Sequence, residues 1–199
     1  MNLLAERNAK MVLFGIDLPE LSMNNFLPPG WVIVLTLIVA PLWPWLNKRG
    51  KEPSTPMKFA LSFIFLAIGF YIFYLGCVAN ESTGVIPLWP FVWGYCFIIL
   101  GELCISPIGL SMVTKLSPAK MVSLVMGIRF FASAIGEFLA AKIGSMMSVP
   151  QEVLAKNNPA LSLPYYAEII FKISIASAVI GVLLIFTVPF LKRWMGNVK

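Results

Sequence analysis

Five times along this 199-residue chain, an apolar run long enough to cross a lipid bilayer is followed by a more polar break, the longest being the segment 148–166 after the fourth run, which is read as external. The runs are Phe26 to Leu46, Met57 to Ala79, Val85 to Thr114, Lys120 to Met147 and Ala167 to Leu191. A helix needs about 20 apolar residues to span a hydrocarbon layer of about 30 Å, and each run meets that length. Inside hydrocarbon, backbone polar groups must find partners within the segment itself, which restricts spanning structure to helices and closed barrels. Continuous apolar runs select helices. Hydrophobic residues make up 59% of the chain and charged residues 12%, against about 45–50% and about 25% in water-soluble domains. The expectation is an all-α, polytopic membrane protein of five transmembrane helices, near 26–46, 57–79, 85–114, 120–147 and 167–191, with no separate soluble domain.

The net charge of +6 does not indicate nucleic-acid binding, because the basic residues sit in short clusters between runs. Lys48, Arg49, Lys51 and Lys58 surround a single acid, Glu52, after the first run. Lys115 and Lys120 follow the third run and Lys192 and Arg193 the fifth, whereas the break after the second run, Asn80 to Gly84, has no Lys or Arg. Because Lys and Arg accumulate in cytoplasmic loops, the pattern predicts a multi-pass protein of the plasma (inner) membrane, N-terminus outside and C-terminus cytoplasmic. Residues 1–25 contain an acid early and no signal-peptide core, so they are read as an external stub rather than a cleaved leader. Cys77, Cys96 and Cys104 all lie inside apolar runs and the chain has no histidine. Neither a disulfide framework nor a metal or cofactor site is expected, and the cysteines read as small packing residues. No nucleophile and base pair marks an enzyme.

Against this background a few charges stand out. Ionisable groups in hydrocarbon cost about 2.5–3.5 kcal/mol on insertion scales, so they face a bundle interior or a cavity and find partners. Glu102 lies fourteen residues before Leu116, and Arg129 thirteen after it. At about 1.5 Å per residue, the two reach the same depth on antiparallel neighbours. They make either a structural ion pair or a cavity carboxylate tuned by a nearby guanidinium. Arg129, Ser133 and Glu137 form a polar stripe at i,i+4 spacing, while Ala132, Gly136, Ala140 and Gly144 form a small-residue ridge suited to close helix packing. Glu168 and Lys172, also i,i+4, are in the favourable order for a helix pair.

The segments PLWPWLNKRGKEPSTPMKFAL (41–61) and GELCISPIGLSMVTKLSPAK (101–120), followed by MGIRFFASAIG (126–136), resemble the proton-dependent oligopeptide transporter family of the major facilitator superfamily. The resemblance extends from LLAERNAK (3–10) to the last run. It implies most of the C-terminal six-helix half of such a transporter, with LLAERNAK the outer end of a helix otherwise missing. It further implies part of a proton-coupled di- or tripeptide symporter working by alternating access, its partners being protons, small peptides, membrane lipid and an N-terminal half. By the same resemblance Glu102 and Ser106 line a central cavity, Glu102 holding the peptide's amino group; the depth and stripe read from the residues themselves make Arg129 and Glu137 the candidate tuning or pairing groups. Arg129 stands where many members carry a cavity Trp, and an Asn of the family's eighth helix has no match. The alternative is a non-transporting membrane protein, a relic or assembly partner, in which Glu102 and Arg129 form a structural ion pair.

Overall fold

The computed structural model describes residues 4, 8, 12, 13, 16, 17, 20–118, 120–146 and 159–195. Five long helices follow one another: α1 (Glu20–Lys48), α2 (Thr55–Ala79), α3 (Leu88–Leu116), α4 (Val122–Met146) and α5 (Leu163–Met195). All five contain a segment long and apolar enough to cross a membrane. Helix α1 starts six residues ahead of its apolar run and α5 four ahead, because hydropathy detects the part in hydrocarbon, whereas hydrogen bonding carries the helix beyond it. Before α1, Val12–Leu13 (β1) and Ile16–Asp17 (β2) pair as an antiparallel hairpin, with Leu13 opposite Ile16. Strands of two residues are too short to show alternation, so no periodicity marks this hairpin.

Helix α2 is central. It packs along α5 on one side and α3 on the other, and α1 lies against α3. The α2–α3 contact is made close by glycines on both helices. A Cβ at Gly94 would lie 2.7 Å from the Phe73 ring, one at Gly76 2.7 Å from Pro90, and one at Gly69 2.8 Å from the Gly94 carbonyl oxygen. At Gly101 the obstacle is backbone, with the Ser62 carbonyl oxygen 2.8 Å away. Small residues let backbones approach in lipid, where dispersion rather than hydrophobic transfer holds helices together. Into the space the glycines leave, Phe73 sends its ring edge-on against Phe91 (5.5 Å) and Tyr95 (5.3 Å), contacts worth about 0.5–1.5 kcal/mol each. On the opposite side of α2, the buried Ser174 hydroxyl donates to the Ala67 carbonyl at 2.9 Å, and Tyr74 meets Phe171 at 4.6 Å.

The connections are equally determined. Pro56 opens α2, where its missing N–H is not needed. At the far end Asn80 Nδ2 donates to the Gly76 carbonyl at 2.9 Å, and the chain reverses through Gly84, whose φ of +71° suits glycine. Cys77 and Cys96 fill space in the two apolar clusters, in keeping with the packing role expected of them.

The small-residue ridge on α4 behaves differently. Nothing lies within 4 Å of a Cβ built on Gly136 or Gly144, and none of the α4 span is buried. Glycine therefore works at the α2–α3 seam, which the sequence reading passed over, and the ridge it singled out has no described neighbour. Gly101→Ala is expected to destabilise the detergent-solubilised chain by about 1–3 kcal/mol through overpacking, and Gly136→Ala to leave its thermal unfolding unchanged. A scan of both variants checks this.

Candidate functional site: the open polar face of α3 and α4

The seam with α2 sets the rotation of α3. Gly101 faces α2, Cys104 is buried three residues on, and Ile99 is buried in a cluster with Leu35 of α1. With 100° between successive residues of a helix, Glu102 falls off the packed faces and Ser106 lies one turn on, on the same side. Both are exposed. The carboxylate and hydroxyl thus form a short polar stripe on an otherwise apolar helix, open to whatever stands beside it.

On α4, Arg129 is half-buried and Ser133 and Glu137 are exposed. The ion pairs among the described residues are Lys58 with Glu52 and Lys172 with Glu168, and none joins Glu102 to Arg129. Equal depth did not suffice, since α4 stands off from the bundle and touches α3 sparingly. The pair expected on α5 does form, Lys172 Nζ donating to Glu168 at 2.6 Å on the exposed surface. Among the described residues no group of three His, Cys, Asp or Glu is placed to hold a metal ion.

Two polar clusters escaped the sequence reading. At one end of the bundle, Asn8 Nδ2 donates to the Gly84 carbonyl (2.9 Å), Ser162 Oγ donates to Asn8 Oδ1 (3.0 Å), and the Ile86 amide donates to the Asn8 carbonyl (2.6 Å). The N-terminal segment is thereby tied to the α2–α3 turn and the start of α5, with Leu4 buried beside Phe73 and Tyr166 in the same cluster. The only clue in LLAERNAK was that Leu4 and Asn8 are four apart and share a helical face. At the other end, the Lys58 ammonium is buried, bonded to Glu52 at 2.5 Å and 4.5 Å above the Trp43 ring. A cation in the first turn of a helix opposes the helix dipole, so the carboxylate and ring carry the compensation. Glu52→Gln is expected to cost about 3 kcal/mol by stranding the ammonium. Glu52→Gln with Lys58→Met is expected to recover most of that loss, read from thermal unfolding of both variants.

Five spanning helices, one of them with an exposed polar stripe, define a multi-pass membrane protein. The model of the POT family (PTR2) matches residues 5–160. The chain belongs to the POT family. It is 34% identical over 194 residues to dipeptide and tripeptide permease A of Erwinia pyrifoliae, covering 97% of this chain and 38% of the relative. It is 31% identical over 193 residues to the protein of the same name from Proteus mirabilis, again 97% and 38%. Among solved structures, tetrameric PepTSo2 superposes with a TM-score of 0.77 at 29% identity, over 97% of this chain and 38% of that one. The peptide transporter POT in complex with sulfate gives 0.75 at 26%, over 96% and 35%. The chain thus spans well under half the length of the relatives it matches.

Proposed function

We propose that this chain is the C-terminal part of a proton-coupled di- and tripeptide symporter of the inner membrane, and that it works against an N-terminal half supplied by further polypeptide. The observation that carries the reading is the open stripe of Glu102 and Ser106, held off the packed faces by the Gly101 contact, in a chain of the POT family. A carboxylate on an apolar span is costly unless it meets water, a proton or a cation. A peptide's ammonium group and a proton are both such partners. Ser106, one turn away, offers a neighbouring hydrogen bond, and Arg129 and Glu137 stand on the next helix to tune the charge of the site.

Transporters of this architecture place substrate near the midplane between two repeats and rock one against the other. The exposed ridge and polar stripe of α4, unburied along its whole span, suit a helix whose partner belongs to the other half. In this reading the Asn8 cluster and the α2–α3 turn are external. The basic turn at Lys48–Lys51 is cytoplasmic, as the distribution of Lys and Arg requires.

The 199-residue chain alone, reconstituted in vesicles, is expected to show no proton-driven dipeptide uptake above background, and uptake is expected once an N-terminal half of a related permease is co-expressed. Uptake by the chain alone would overturn the two-part reading. In the assembled protein, Glu102→Gln is expected to lower dipeptide uptake on the order of tenfold or more, with folded yield retained because the residue lies on an exposed face of α3. Loss of yield without loss of specific uptake would instead assign Glu102 a structural role.

A further inference from the structure

We infer that the end of α1 and the turn that follows it form a binding site for one anionic glycerophospholipid. Ile38, Pro41, Leu42 and Trp45 line an open, apolar groove of about 290 Å³ along a single face of α1. Their spacing of three and four residues continues to Lys48 and Arg49, so the same face that begins as hydrocarbon ends in cations. The Arg49 guanidinium lies 3.8 Å over the Trp45 ring, which joins the charged end to the groove.

Among the described residues, charge in this turn is uncompensated. Lys48, Arg49 and Lys51 are exposed and make no ion pair among the described residues. The turn's one carboxylate, Glu52, is taken by the buried Lys58. The end of α1 contributes a charge of about −0.5, far short of three cations. The turn is also held in shape: the Arg49 and Lys51 amides both donate to the Leu46 carbonyl, at 3.2 and 3.0 Å, and Gly50 bonds to Asn47 at 2.9 Å with a φ of +66°. A phosphate diester meets the cations while its acyl chain lies in the groove below. A zwitterionic lipid would bring its own cation into the same space, and a free phosphate would leave the groove unused.

The other end of α1 provides an internal contrast. A second apolar groove, bordered by Phe26, Trp31, Val34 and Val92 among others, has no basic neighbour in sequence, since no Lys or Arg occurs between Met11 and Asn47. Groove alone and groove with charge can therefore be compared in one helix.

The test is native mass spectrometry of the full chain in neutral detergent, titrated with phosphatidylglycerol, phosphatidylcholine of the same acyl chains, or inorganic phosphate. Phosphatidylglycerol is expected to bind at least tenfold more tightly than phosphatidylcholine, with inorganic phosphate not competing. Removing charge by Lys48→Gln, Arg49→Gln and Lys51→Gln is expected to weaken it about fivefold per residue. Ile38→Trp, which fills the groove, is expected to weaken it with the turn intact, whereas Val34→Trp in the uncharged groove changes nothing. Circular dichroism of each variant verifies that the helices persist. Equal affinity for the two lipids, competition by phosphate with no effect of Ile38→Trp, or a dimer of the chain in place of bound lipid would each overturn the assignment. None of these readouts depends on transport, so their failure leaves the transporter reading untouched.

Discussion

The close approach of α2 and α3 is the contact on which the remaining geometry depends. Four glycines, two on each helix, bring backbone near backbone or side chain at distances where a Cβ would collide. In lipid this matters more than in water, because exposing apolar side chains to hydrocarbon costs nothing and only packing quality distinguishes one arrangement from another. With α3 seated in this way, Gly101 points at α2. Glu102, its neighbour in sequence, has to point away. The rotation that makes a tight seam also presents the acid on a free face.

Burial is distributed unevenly, and the unevenness has a direction. α2 is packed on two sides, α3 on two, and α4 has no buried residue along its span. Yet α4 carries Arg129, Ser133 and Glu137 on one stripe and a small-residue ridge on another. Polar groups and glycines on a spanning helix are poor choices for facing lipid alone, where each ionisable group is costly. Their placement fits a helix that faces protein or water. α3 exposes Glu102 and Ser106, α4 exposes Ser133 and Glu137, and among the described residues no ion pair links the two helices.

Both ends of the bundle are fixed by buried polar residues. Asn8 ties three chain segments through its side chain and carbonyl, and Lys58 is held by Glu52 and Trp43. Such clusters are directional, whereas the apolar seam between them is not. They set which loop lies over which helix end. The Glu52–Lys58 pair has a second consequence, since it withdraws the one acid from a basic turn and leaves Lys48, Arg49 and Lys51 without an ion pair among the described residues.

Much of this was legible in the residues. The number of spans followed from run length, because hydrocarbon thickness and helix rise are fixed quantities. The charge pattern gave an expected orientation, the Glu168–Lys172 pair followed from i,i+4 spacing, and the motif around Gly101 carried the family. Rotation was not legible, since depth along a helix is counted in residues whereas the facing side depends on the neighbour it packs against. Glu102 and Arg129 lie at similar counts from Leu116, but among the described residues no ion pair joins them, and residue counts do not give the side each helix presents. The glycine seam and the Asn8 cluster escaped for the same reason: each is a relation between segments far apart in sequence. Sequence alone determined what crosses the membrane, because that is a property of each segment in its solvent. Only the tertiary structure decided which face of each helix is covered, because that depends on side chains meeting across segments.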